Sequence, residues 1–425
     1  MQEEQRERAL LVGVDTGEEP DFDRSMDELK SLAEACNMQV VGLITQKMVA
    51  VNKALYVGTG KVGEIREFAK ECEADIVIFD NALSPSQIRN LQEELDMPIL
   101  DRTTLILDIF AIRAQTREAK LQVETARLQY LLPRLVGMHE ALSRQGGASG
   151  SMSNKGTGEK KLELDRRKIE HRISELRKEL ETVAMDRQVQ RKKRMNSRTP
   201  QVALVGYTNA GKSTVMNQMV QKYIGNEEKK VLEKDMLFAT LETSVRNIET
   251  GDNKPFYLVD TVGFIHKLPH GLVKAFHSTL EEVKYADLLV QVIDYSDEQY
   301  KQQMEVTKET LEELGAGDIP MVYVYNKADK CMDLASLPKV KDKHIHMSAV
   351  NSVGIEELIK LIKEQVYADT KNVAFLIPYH RGDLVSYFME QSTVLNTEYL
   401  ENGVRLDVNC HAQDAMKYKE YVLEE

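Results

Sequence analysis

The chain has 425 residues, of which 42% are hydrophobic and 29% charged, and its net charge is −12. At roughly 150 residues per domain that length calls for about three cores, and the composition is that of a water-soluble globular protein. No apolar run approaches the ~20 residues of a membrane span, Met1 to Arg8 is too polar for a signal peptide, and Cys36, Cys72, Cys331 and Cys410 lie too far apart for a zinc or disulfide framework. A cytoplasmic protein is expected, with peripheral membrane association left open.

Residues 1–115 read as an N-terminal α/β domain. Ala9–Val14, Gln39–Thr45, Asp75–Phe79 and Met97–Leu100 are short apolar runs, and Asp23–Cys36, Glu64–Cys72 and Ser86–Leu95 carry helical patterns between them. Such alternation implies a small parallel sheet. Gly58-Thr-Gly60-Lys-Val-Gly63 matches G-x-G-x-x-G, and Asp80, 20 residues after Gly60, has the place of a ribose-binding acid. The stretch Gln46–Tyr56 separates the glycines from their strand, so three readings stay open: a dinucleotide, another nucleotide or RNA phosphate, and a plain helix start.

Over residues 116–195 the period changes. Leu121, Leu128 and Leu135 are seven apart, and a second helix, Glu159–Arg194, repeats Ile169, Ile173, Leu176, Leu180 and Val183 at the four-three spacing of a coiled-coil seam. Gly146–Gly158 between them is rich in glycine and serine, so an antiparallel helical hairpin with a long tip is expected. From Arg113 to Arg198 there are 21 Lys+Arg against 11 Asp+Glu, a net of +10, which leaves −22 on the rest of the chain. A basic hairpin in an acidic chain is either the footprint of a polyanion or a solvated pair of charged helices. Arg191-Lys-Lys-Arg194 divides the same way.

Residues 196–369 alternate again, with Gln201–Val205, Phe256–Val259, Leu288–Ile293 and Met321–Tyr325 as near-continuous apolar runs, the mark of buried parallel strands. After the first of them, Gly206-Tyr207-Thr208-Asn209-Ala210-Gly211-Lys212-Ser213 fits the phosphate loop G-x-x-x-x-G-K-[ST] without mismatch, with Thr214 next on a helix. Its backbone N–H groups turn inward around phosphate. Lys212 would reach the β- and γ-phosphates, and Ser213 would ligate Mg²⁺. Asp260-Thr261-Val262-Gly263 ends the next apolar run. Its carboxylate can hold Mg²⁺ through water, and the Gly263 N–H can meet the γ-phosphate.

Asn326-Lys327-Ala328-Asp329 follows Met321–Tyr325. Asp329 can accept from guanine N1–H and the exocyclic amine, a donor pair adenine lacks. Asn326 would contact the base edge, and the Lys327 stem would cover its face. Ser348-Ala349, before Val350 and after a strand at His344–Met347, can offer a backbone N–H to guanine O6. Phe238-Ala239-Thr240-Leu241-Glu242-Thr243 lies where a switch segment needs a Mg²⁺-binding threonine, and Thr240 and Thr243 both qualify by type. Phe264 follows Gly263 where many GTPases carry the glutamine that orients water, so slow intrinsic hydrolysis is expected. His266 and His270 are four apart, but Pro269 interrupts them, and a switch loop explains them better than a metal. Residues 370–425 open with Val373–Pro378, have a helical pattern near Leu384–Glu390, and read as a small C-terminal α+β domain without evident chemistry.

The order of these motifs resembles the HflX family of ribosome-associated GTPases. The likeness runs through nearly the whole chain, in Gly58–Ile65, Asp80–Glu93, Leu100–Arg117, Lys120–Gly137, Leu142–Gly147 and Gly156–Arg167 as well as in the GTPase motifs. It implies an N-terminal α/β domain, a helical hairpin and a G domain that binds GTP and GDP with Mg²⁺; a monomer is expected. The implied partners are the large ribosomal subunit and its RNA, and the implied activity is GTP-dependent splitting or rescue of stalled or idle ribosomes under stress. The family pattern F-A-T-L-[DE] selects Thr240 as the Mg²⁺ ligand beside Ser213, and Lys212, Thr240 and Gly263 are the expected catalytic group. Some members bind ATP through the N-terminal part, which adds ATP at Gly58–Gly63 to the expected partners. Certain relatives act in antibiotic resistance. Between Gly147 and Gly156 the family's Gly/Arg-rich tip is replaced by Ser-Gly-Ser-Met-Ser-Asn-Lys.

Overall fold

A computed structural model describes residues 6–18, 21–145, 155–195, 199–224, 238, 243–267 and 282–423. The chain divides into two compact units, Met1–Arg191 with Lys234–Glu242 and Ile265–Ser278, and Lys192–Glu233 with Thr243–Phe264 and Thr279–Glu425.

The first unit opens with β1 (Arg8–Asp15), α1 (Phe22–Ala35), β2 (Gln39–Lys47), α2 (Thr59–Glu71), β3 (Ile76–Phe79), α3 (Pro85–Leu95), β4 (Ile99–Asp101) and α4 (Arg102–Arg113). The strands form a parallel sheet in the order β2-β1-β3-β4. Both faces of β1 are buried because helices cover each side. Leu10, Val12 and Val14 meet Ile65 of α2 and Leu91 of α3 in one core. Pro85 and the Ser84–Gln87 capping box set the start of α3, as the missing N–H of a first-turn proline allows.

The charged residues around β4 are structural. Asp101 is fully buried and caps α4 through the Thr104 N–H at 2.9 Å, worth about 1 kcal/mol. It also accepts from Tyr130 and, at 3.0 Å, from Arg134. Arg102 is equally buried, bonded to Asp80 at 2.7 Å and paired with Glu28. Removing one member of such a buried pair typically costs about 3–5 kcal/mol.

Two long helices follow, α5 (Arg117–Gln145) and α6 (Lys155–Met195). They run antiparallel, because Arg117 pairs with Glu179 while Glu124 pairs with Arg172. Ile173 and Leu176 of the expected seam are buried, as are Leu121, Val123 and Ala126 opposite. Arg166 and Arg167 are held by Glu163 and Arg172 by Glu124, whereas Arg177 and Lys178 are exposed and make no ion pair among the described residues. The residues from Gly146 to Asn154 lie outside the described residues.

In the second unit, β5 (Gln201–Val205), α7 (Lys212–Tyr223), β6 (Ser244–Ile248), β7 (Phe256–Asp260), β8 (Leu288–Asp294), α8 (Tyr300–Glu313), β9 (Met321–Asn326), β10 (Lys339–Lys341), β11 (His344–His346) and α9 (Ile355–Val366) build a seven-stranded sheet. Its order is β10-β11-β9-β8-β5-β7-β6, parallel except for the two edge strands. The chain moves from β5 to β7 on one side, then returns to β8 on the other. The loop after β5 therefore sits at the reversal, where open α/β sheets bind ligands. A small three-stranded antiparallel sheet, β12 (Thr370–Ile377), β14 (Gly403–His411) and β13 (Thr393–Leu400), follows with α10 (Gly382–Gln391) and α11 (Ala412–Lys417), around Phe375, Phe388 and Leu406. No helix among the described residues is long and apolar enough to cross a membrane.

Candidate nucleotide site

The phosphate loop takes its shape from its own sequence. Asn209 and Gly211 both have left-handed backbones, φ 59° and 94°, which turn successive N–H groups toward one side. Gly211 caps α7, and a Cβ on it would lie 2.3 Å from Asn326 Nδ2. The helix thus starts with unsatisfied N–H groups aimed at the loop, an anion site by construction.

Lys212 is buried, and its ammonium donates to the carbonyls of Gly206 at 3.1 Å and Tyr207 at 2.8 Å. Burial pushes its pKa down to about 8, and the nearby Asp260 carboxylate pulls the other way. The Ser213 hydroxyl donates to Asp260 Oδ2 at 2.8 Å. Asp260 and Thr261 are fully buried, and Thr261 is pinned to the Leu204 carbonyl at 2.7 Å. Val262 is buried too. A Cβ on Gly263 would lie 2.8 Å from Thr208 Cα and 2.9 Å from Lys212 Nζ, so the two loops meet closely there and only glycine fits.

Phe264 does not face solvent. It is buried, and its backbone bridges to the phosphate loop, donating to the Gly206 carbonyl at 3.1 Å and accepting from the Thr208 N–H at 2.8 Å. Sequence reasoning saw Phe264 only as a missing glutamine; its bridging role follows from a parallel pairing with Tyr207 that no local pattern announces.

Asn326 has a structural role that its motif does not show. Its amide donates to the Ala210 carbonyl at 3.0 Å, and its side-chain oxygen accepts from the Ala349 N–H at 2.9 Å. Both ends tie the phosphate loop to the Ser348-Ala349 turn, and the second N–H of the amide is left for a base edge. Lys327 is left-handed, φ 58°, and its ammonium pairs with Asp294 at 2.8 Å. Ala328 is buried with its N–H on the Met347 carbonyl. Asp329 is half-buried, and its carboxylate makes no hydrogen bond or ion pair among the described residues. Ser348 and Ala349 are fully buried, whereas Val350 is 74% exposed.

Of the switch segment, Phe238 is buried and packs edge-on against Phe110 within the first unit, centroids 4.7 Å apart. Ala239, Thr240, Leu241 and Glu242 lie outside the described residues, as does His270. His266 is exposed, and no cluster of three or more His, Cys, Asp or Glu suited to a metal occurs among the described residues.

The Gly58–Gly63 motif behaves as a helix start. Gly58 caps α2 and donates to Gln46 Oε1 at 2.9 Å, while a Cβ on Gly60 or Gly63 would meet nothing within 4 Å. No close backbone approach requires those two glycines. Asp80 is occupied by Arg102 and by Ser25 at 2.7 Å.

The residues present fit Mg²⁺. Ser213 and Asp260 bring a hydroxyl and a carboxylate together, hard oxygen donors of the kind the ion takes, beside a loop shaped for the phosphates that would share it. The Thr208 hydroxyl, buried in that loop, has no hydrogen-bond partner among the described residues.

Comparison with known proteins places this site in a family. Residues 23–111 match a family model described as GTP-binding GTPase N-terminal, residues 113–194 one described as GTP-binding GTPase Middle Region, and residues 201–327 one described as 50S ribosome-binding GTPase. The GTPase HflX of Caldanaerobacter subterraneus subsp. tengcongensis is 41% identical, over 97% of this chain and 93% of that protein. The GTPase HflX of Escherichia coli K12 is 38% identical, over 93% and 91%. A solved GTP-binding protein from Sulfolobus solfataricus in complex with GDP aligns at 26% identity and a TM-score of 0.44, over 85% of this chain and 99% of that one. With a phosphate loop, an Asp-x-x-Gly strand end and an Asn-Lys-x-Asp turn gathered at one sheet reversal, and relatives alike from end to end, the chain is a GTP hydrolase and belongs to the HflX family of GTPases.

Proposed function

We propose that this GTPase works on the large ribosomal subunit, where GTP binding and hydrolysis drive the splitting or rescue of stalled or idle ribosomes under stress. The observation that supports it most is the basic hairpin. Its +10 charge sits in a chain of −12 overall, and Arg177 and Lys178 present cations that no neighbouring acid neutralises among the described residues. The 50S ribosome-binding description of the matched G-domain model points the same way.

Within the G domain, the N–H groups of Gly206–Ser213 and the Lys212 ammonium would neutralise the β- and γ-phosphates, where charge shifts in the transition state. The Gly263 N–H would report the γ-phosphate. Asp329 would read guanine, flanked by Lys327 and the Ser348-Ala349-Val350 turn, with Asn326 holding the phosphate loop against that turn. Mg²⁺, which GTPases of this kind generally use, would be held by Ser213 and Thr240 with Asp260 behind them, and would neutralise phosphate charge. Because Phe264 is buried and apolar, the group that orients the attacking water must come from elsewhere in the chain or from the ribosome.

Replacing Arg177, Lys178, Arg191 and Lys192 by glutamine tests the partner. Each RNA phosphate left without its cation should reduce the salt slope of binding by about 0.7–0.9. Ribosome affinity should therefore drop and its dependence on salt should flatten, while GTP affinity stays at the parental value. Parental ribosome affinity and slope in this variant would make the hairpin a solvated helix pair and remove the main support for the reading.

A further inference from the structure

One face of the G-domain sheet carries an array of rings that the nucleotide site does not use. Between β9 and β11 the chain makes only two single-turn helices, Ala328–Lys330 and Leu334–Ser336, and the edge strand β10. Parallel sheets are ordinarily covered on both faces. Here α9 covers one face, where Val322, Val324 and Ile345 join the core. On the other, no helix follows β9 to cover β9 and β11.

Strand alternation decides what that face presents. Val324 and Ile345 point into the core, so Tyr323, Tyr325, His344 and His346 point the other way. Register sets His344 between Tyr323 and Lys341, and His346 between Tyr325 and Lys339. The rings are nearly parallel. Tyr323 and His344 lie 4.8 Å apart at 10°, and Tyr325 and His346 4.6 Å apart at 12°. Tyr295 and Tyr300 close one side, edge-on to Tyr325. All six are half-buried, too wet for a core and too apolar for an idle surface.

Charge supplies the partner's chemistry. Lys339–His346 holds three lysines and one aspartate in an acidic chain. Lys339, Lys341 and Lys343 are exposed and make no ion pair among the described residues. Burial, with Lys339 and His344 close by, holds His346 below the ordinary histidine pKa, so at neutral pH it is a stacking ring rather than a cation. Within each pair the rings cover one another's inner faces, so a base can add only to the outer face of an end ring, extending the stack, while the bordering lysines supply cations for the phosphates of an unpaired strand. A protein partner would be served by the rings but gains nothing general from three unpaired lysines.

We propose that this face binds a single-stranded segment of RNA, its bases extending the Tyr323–His344 and Tyr325–His346 stacks at their outer faces and its phosphates meeting Lys339, Lys341 and Lys343. The choice of RNA over DNA rests on the ribosome reading; the face itself is independent of the hairpin.

The chain has no tryptophan, so Tyr323→Trp places a single indole in the array. A short oligouridylate should quench its emission in a saturable way, whereas a duplex RNA of equal length, its bases already stacked, should quench little. Adding Lys339→Gln, Lys341→Gln and Lys343→Gln should raise the half-saturating concentration at least about tenfold and flatten the salt slope by about two. GTP affinity checks that the protein is folded, and His344→Trp serves as the probe if Tyr323→Trp fails that check. Unchanged emission on adding oligouridylate, equal quenching by duplex, or quenching indifferent to the three lysines would each overturn the proposal and leave the face to a protein contact. The titration contains no ribosome, so failed ribosome binding with quenching intact would count against the proposed function alone.

Discussion

Asp329→Asn should lower GTP affinity by about 10²–10⁴-fold, the worth of two hydrogen bonds to a charged acceptor, and should make XTP the better ligand. Asp329 sits in a short helical turn that begins at left-handed Lys327 and is fixed by the Ala328 N–H on the Met347 carbonyl. The neighbouring charge is already committed, Lys327 being paired with Asp294. The Asp329 carboxylate is thus held in place with its acceptors open. An amide there offers a donor to guanine's donors, whereas xanthine presents a carbonyl at C2 that the amide can satisfy. Competition among GTP, XTP and ATP measures it, and unchanged GTP preference would remove Asp329 from the site.

Lys212→Ala should reduce single-turnover GTP hydrolysis by about 10²–10³-fold, the usual cost of losing one preorganised charge-stabilising group. The fold should suffer far less. The ammonium is buried against two backbone carbonyls, with its pKa pushed down to about 8. Its desolvation cost largely cancels those bonds, so stability should change by roughly 1–2 kcal/mol. Thermal unfolding and hydrolysis measured together separate the two effects. A variant that hydrolyses GTP at the parental rate would mean that Lys212 does not reach the phosphates.

The two sheets that carry the N-terminal and G domains were legible because their parallel strands are buried on both faces and therefore read as continuous apolar runs. The phosphate loop was legible for a different reason: its glycines, lysine and serine act within eight consecutive residues. What escaped depends on partners far along the chain. The bridging role of Asn326 is hidden because its partners, Ala210 and Ala349, lie 116 and 23 residues away. Asp80 looked like a ribose acid, yet it is satisfied by Ser25 and Arg102. Helix α4 gave no amphipathic stripe because Leu105, Ile106, Leu107, Ile109 and Phe110 are all buried, on several sides of the helix. Edge strand β6 is mostly half-buried and lacks a clear period. The ring array on β9 and β11 appears only once their register is known.

The proposed function requires the γ-phosphate to control engagement of the large ribosomal subunit. Its most direct test is sedimentation of ribosomes with the full chain and a non-hydrolysable GTP analogue, GDP or no nucleotide. The protein should travel with the large subunit in the presence of the analogue, with whole ribosomes declining in favour of free subunits, and should stay near the top of the gradient with GDP. Absence from the large-subunit fraction in all three conditions, or equal presence with GDP and the analogue, would contradict the account.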